Sequence, residues 1–344
     1  MNPESTKPLA VWLLFILALL VVMIVLGGFT RLTESGLSMV NWHPVTGWLP
    51  PLDELAWEQV FADYRKSPEY LEMNAGMTNS EFKSIFWLEY LHRLLGRIIG
   101  VSFFVPMIFF VYMGWIRGAF FFKVLGLFIL GGLQGFLGWY MVKSGLVDRP
   151  EVSQYRLAAH LGLALIILAA VLWAALDLLK PKAVEALGEK GINRRLGRGA
   201  WALLGLIFLT ILSGAFVAGL DAGHVYNTFP LMGGNFIPDG LWDLSPAFLN
   251  LFENIITVQF DHRILAISVV ISVVIFFWRS QRFRLTISQR LSTYSLLAAA
   301  IYQVGLGIST LLLAAPIPLA AMHQLGAVIL LAITIWLAHE FRPV

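Results

Sequence analysis

The chain has no cysteine, so disulfides, thiolate metal sites and iron–sulfur clusters are excluded. It is also poor in charge: only 13% of its 344 residues are Asp, Glu, Lys or Arg. A water-soluble domain carries about 25%. The net charge of +3 is small, and no nucleic-acid partner is expected. What the chain has instead is apolar residues, 58% of the total, with a mean hydropathy of +0.76. That balance describes an integral membrane protein surrounded by lipid. The first apolar run follows a short amino-terminal segment with one Lys and no small-residue cleavage site, and reads as a retained span.

Runs long enough to cross a bilayer lie at about 10–28, 95–115, 120–142, 157–178, 200–220, 263–278, 292–313 and 319–338. The expected fold is therefore all-α, with eight transmembrane helices. With the amino terminus inside, one side receives fourteen of the 24 bases but only five of the 21 acids. The positive-inside rule then predicts that both termini are cytoplasmic, in a multi-pass protein of the bacterial inner (plasma) membrane. Two external loops are long, at about 29–84 and 221–260, and a basic internal linker at about 180–198 reads as a hinge.

The two sides of that hinge are related. FWLEYLHRLLG parallels TVQFDHRILAI, QGFLG (134–138) parallels QVGLG (303–307), and RLAAHLG parallels PLAAMHQLG. Four helices per half predicts a parallel duplication, two four-helix bundles the same way up, with halves 1–180 and 181–344.

Four of the seven histidines, His92, His160, His262 and His323, stand at matching places in that repeat, each at the external start of an even-numbered span. Two imidazoles from different helices in each half suit a bis-imidazole haem, gripped on opposite faces inside a bundle. Gly96 and Gly162 leave room for a porphyrin edge, and Arg93, Arg97, Arg156 and Arg263 suit its propionates. A single His at a span end is more often an interfacial residue; four in register carry the ligand reading. His43, His224 and His339 lack the pattern and read as loop or terminal residues, while Gly131, Gly132, Gly135 and Gly138 read as helix-packing notches.

The halves differ three residues before the first His of each. Glu89 precedes His92, whereas Gln259 precedes His262. Proton chemistry therefore falls to the amino-terminal half, and the other half reads as a permanent redox centre. A salt bridge from Glu89 to Arg93 at i+4 is the competing role.

The segments GGFTRLTESGLSMVNWHPVTGWLPP, EFKSIFWLEYLHRLLGRIIG, SQYRLAAHLG and AGLDAGHVYNTFPLMGG closely resemble the haem A synthase family, in its cysteine-free branch of α-proteobacteria and mitochondria. The resemblance implies oxidation of the C8 methyl group of haem O to a formyl group, by successive hydroxylations with water as oxygen source, for cytochrome oxidase biogenesis. It implies His92 and His160 as axial ligands of the substrate haem, and His262 and His323 as ligands of a haem b cofactor. Glu89 would be the catalytic carboxylate. Gram-positive members carry a cysteine pair in the first loop, whose role has no counterpart here. A hand-off from the farnesyltransferase that makes haem O, a homo-oligomer and an unidentified electron acceptor are the partners considered. The rival readings are a dihaem cytochrome b-like electron-transfer subunit, with the same histidines but no need of Glu89, and a transporter without haem.

Overall fold

The computed structural model describes residues 3–43, 46–145, 152–179 and 190–342. Among the described residues there are helices and turns but no strand, apart from one isolated bridge between Met232 and Asn235. In chain order the α-helices are α1 (Pro3–Leu32), α2 (Glu54–Tyr64), α3 (Pro68–Glu72), α4 (Asn79–Tyr112), α5 (Gly118–Gly145), α6 (Gln154–Leu179), α7 (Lys190–Gly219), α8 (Asn250–Glu253), α9 (Ile255–Ser280), α10 (Ile287–Leu312) and α11 (Ile317–Glu340). Eight of them are long and apolar enough to cross a membrane. The shortest of the eight has 24 residues. At about 1.5 Å per residue that exceeds the ~30 Å hydrocarbon core.

Two helices start well before their apolar runs. Helix α4 opens at a capping box in which the Thr78 hydroxyl accepts from the Glu81 backbone and the Glu81 carboxylate accepts from the Thr78 backbone. Helix α9 is opened by the Asn254 side chain, which accepts from the backbone of Ile256 and Thr257. Their first turns are amphipathic, so a hydropathy window misses them. As a result His92 and His262 lie inside their helices rather than at their starts. Residues 180–189 fall outside the described residues, and with them the dividing point at 180–181; residues 190–198 of the expected linker already belong to α7.

The chain forms two compact units, Phe15–Ile167 and Met1–Leu14 with Leu168–Val344. In the first, the long loop between α1 and α4 is structured by α2 and α3, which pack on the opening turns of α4. Trp57, Phe61, Tyr64, Phe82, Phe86 and Tyr90 form one buried aromatic cluster there. Glu69 is buried beside it, with Oε2 unpartnered among the described residues and the Tyr64 hydroxyl donating to its carboxylate; Asn74 Nδ2 donates to Tyr64 at 2.8 Å. Burial lifts the Glu69 carboxyl to about 7 and raises the Tyr64 phenol as well.

In the second unit, α7, α9, α10 and α11 pack on one another. His339, expected to be a terminal residue, is instead fully buried on α11. Its Nε2 lies 3.2 Å from Asp177 Oδ1, Arg342 Nη1 lies 2.6 Å from its Nδ1, and its ring meets Trp173 edge-on. A histidine three residues from the end of the described chain gains this burial because α11 brings it back against α6.

Candidate functional site

Each of the four repeat histidines is partly exposed, as a ring lining a cleft would be, and each is seated against a glycine of another helix. A Cβ added at Gly27 on α1 would lie 3.4 Å from His92 Cε1, and one at Gly138 on α5 would lie 3.0 Å from His160 Cε1. In the second unit, Gly214 on α7 stands 3.1 Å from His262 Cε1, and Gly307 on α10 stands 2.9 Å from His323 Cε1, measured in the same way. The same ring atom faces the same missing side chain four times. Glycine is required because the ring occupies the space a larger residue would fill. Gly138 is therefore a seat for an imidazole rather than a simple packing notch; the positions in Gly131, Gly132 and Gly135 meet open space. Gly96 faces Met23 of α1, 3.1 Å from its Cε. The repeated QxxxG spacing, Gln134 to Gly138 and Gln303 to Gly307, is the sequence signal that could have found two of the seats.

Neighbouring side chains hold three of the rings. Ser213 Oγ lies 2.8 Å from His262 Nδ1 and donates to Thr210 O at 2.7 Å. Gln134 Nε2 donates to the His160 carbonyl at 3.0 Å and sits 3.2 Å from its Nδ1. Gln303 repeats this with His323, at 2.9 and 3.1 Å. Among the described residues the His92 ring makes no hydrogen bond. Within each unit the paired imidazoles are near enough to act on one another electrostatically, His92 with His160 and His262 with His323.

Glu89 is buried at 3% exposure, so its partners decide its state. Ser38 Oγ donates to Oε2 at 2.7 Å, Met39 N donates to Oε2 at 2.7 Å, and Arg93 Nη2 donates to Oε1 at 2.5 Å. The expected i+4 ion pair is present and is two hydrogen bonds richer than spacing alone implies. Gln259, its counterpart, donates through Nε2 to Tyr226 O at 3.2 Å, and its Oε1 is buried with no partner among the described residues.

The arginines grip the loops. Arg93 donates to Met39 O at 2.8 Å and Asn41 O at 3.0 Å, Arg97 donates to His43 O at 2.6 Å, and Arg263 donates to Tyr226 O at 2.7 Å and Thr228 O at 2.8 Å. Arg156 lies over the Tyr140 ring, 4.6 Å from its centroid. His43 is an exposed loop residue and His224 ends a short 3₁₀ turn, both away from the pattern.

Residues 10–335 match the family described as cytochrome oxidase assembly protein, COX15–CtaA. The chain belongs to that family. It is 50% identical to the haem A synthase of Nitrosospira multiformis, over 98% of this chain and 94% of the relative. It is 48% identical to the haem A synthase COX15 of Bos taurus and to that of Homo sapiens, each over 97% of this chain and 82% of the relative. The family thus spans bacterial and mammalian members.

The donor set fits a haem. Among the described residues no three His, Asp or Glu side chains converge to hold a bare ion. Each unit offers two imidazoles instead, the pair a metal accepts when a macrocycle already fills its four in-plane positions.

Proposed function

We propose that this protein is a haem A synthase of the bacterial inner membrane, with both termini cytoplasmic and two duplicated halves of unlike task. The amino-terminal half binds haem O as substrate through His92 and His160. The carboxy-terminal half binds haem b as cofactor through His262 and His323. The observation that carries this reading is the fourfold glycine-seated histidine set combined with a buried acid, Glu89, one turn before His92. The names of the relatives support the substrate.

Oxidation of the C8 methyl to a formyl group consumes one water and releases four electrons and four protons, in two two-electron steps. Haem b, held by His262 and His323, would supply one-electron redox capacity, and the final electron acceptor lies outside the chain. The chain's own residues do the rest. Glu89 accepts a proton, at its carboxylate, from the substrate methyl or the attacking water. Ser38, Met39 N and Arg93 hold that carboxylate in one place, so the base is oriented before substrate arrives. Arg93 and Arg97 also tie the first loop down over α4, limiting the entry of bulk water. Arg156, stacked on Tyr140, keeps donors for a propionate. The farnesyl tail of haem O favours lateral entry from lipid, by hand-off from the farnesyltransferase.

Haem extraction and chromatography of the purified protein tests the proposal. Haem O or haem A alongside haem b is the expected result. Two b haems alone would instead indicate an electron carrier, and no haem at all a transporter.

A further inference from the structure

Of the four ring seats, that of His92 differs from the others in two independent ways. It is the loosest, 3.4 Å from the Gly27 position against 2.9–3.1 Å for the rest, and it alone gives the ring no hydrogen-bond partner among the described residues. Its counterpart His262 is held most firmly. Ser213 Oγ gives its proton to Thr210 O, so the oxygen that faces His262 Nδ1 is an acceptor. That arrangement keeps the proton on Nδ1 and leaves the Nε2 lone pair free for iron. Besides the Thr210 backbone, which also acts on His262, the side-chain difference traces to one residue. Ser213 immediately precedes the seat Gly214, whereas Leu26 immediately precedes the seat Gly27, so α1 presents an alkyl group where α7 presents a hydroxyl. Thr30, the nearest hydroxyl on α1 along the chain, is spent on Gly27 O at 2.7 Å.

We infer that His92 is the releasable ligand, and that the residue before the seat glycine, Leu26 in one half and Ser213 in the other, decides which half exchanges its haem and which retains it. The inference rests on the axial-ligand reading above and adds a positioning role for two residues outside it. A ring with no acceptor at Nδ1 is a weaker donor and turns more freely. Loss of such an outer partner lowers metal affinity about 10- to 100-fold. A site that binds substrate and discharges product at every turnover needs that weaker grip, and a cofactor site does not.

The test exchanges the two residues in the purified haem-loaded protein. Transfer of each haem to excess apomyoglobin is followed in detergent, with the lost pigment identified by chromatography. Leu26→Ser should slow loss from the amino-terminal site, and Ser213→Ala should speed loss of haem b, each by about 10-fold or more. Ser213→Thr, which restores the hydroxyl, should return haem b to its slow rate, an outcome that a merely structural role for Ser213 would not single out. Rates within about twofold of the parent in Ser213→Ala, with Leu26→Ser equally silent, would overturn the inference. If Leu26→Ser fails to fold, Ser213→Ala and Ser213→Thr decide the matter by themselves. His92→Ala and His262→Ala serve as the separate check on the ligand reading: if both leave the low-spin electron paramagnetic resonance signals unchanged, it is the axial assignment that fails.

Discussion

The turns around His92 and His262 are built alike but wired in opposite senses. In both, the arginine that follows the histidine clamps two carbonyls of a long loop, two residues apart: Met39 and Asn41 for Arg93, Tyr226 and Thr228 for Arg263. In both, the residue three before the histidine reaches the same stretch of loop. Glu89 accepts from the Met39 backbone N–H, whereas Gln259 donates to the Tyr226 carbonyl. A carboxylate can only accept and an amide can donate, so the loop in each half has set to the polarity of its partner. The same local arrangement thus carries an acid beside one histidine and an amide beside the other. Exchanging one for the other disturbs the loop as well as the chemistry.

The sharpest way to break that contrast is Glu89→Gln. Turnover of haem O should fall about 10²- to 10⁴-fold with both haems still bound, measured by product chromatography against extracted pigment. Full turnover would remove the distinction between the halves, and Gln259→Glu should bring no gain.

Glu69 adds a second difference, since this buried carboxyl belongs to the first loop. Its folded value of about 7 lies above the ordinary 4.5 because burial disfavours the charge, and Glu34 and Glu89 nearby add to the effect. A raised acid contributes stability that is complete below the unfolded value and lost as pH climbs through the folded one. Amide exchange of α2 and α3 should therefore quicken between roughly pH 4.5 and above 7, by up to about 3 kcal/mol, and Glu69→Gln should flatten the profile. A pH profile unchanged by Glu69→Gln would assign the dependence elsewhere.

The seats rank the halves more finely. Gly307→Ala and Gly138→Ala force a Cβ to within 2.9 and 3.0 Å of an imidazole, and should cost about 1–3 kcal/mol in haem retention. Gly27→Ala, at 3.4 Å, should cost less, so equal losses in all three would mean the seats are equivalent. The smallest effect is expected from Arg263→Lys, which keeps the charge but gives up the fork across Tyr226 and Thr228. Limited proteolysis of the loop after α7 should rise about 10-fold, the loss of one charged hydrogen bond.

Much of this was legible from residues alone. The eight spans were, because a bilayer demands about twenty apolar residues in a row and nothing else in the chain supplies them. The matching sequence contexts of the four histidines were too, and so was the ion pair of Glu89 with Arg93, which needs only one helical turn. The opening turns of α4 and α9 were not, because they owe their helicity to the Thr78 and Asn254 caps and to aromatic packing rather than to hydropathy. His339 was misplaced for a related reason: a position near the chain end says nothing about Asp177, 162 residues earlier, waiting for it on another helix.

The chain by itself determined the membrane class, the spacing of the histidines and the single acid beside one of them, since these depend on composition and on neighbours within a turn or two. Tertiary structure alone decided which glycine seats each ring, that Ser213 faces His262 while no described side chain bonds to His92, and that Arg93, Arg97 and Arg263 donate to loop carbonyls. Those choices join segments separated by tens of residues, and the distances between such segments are set by how helices pack, which no local pattern encodes.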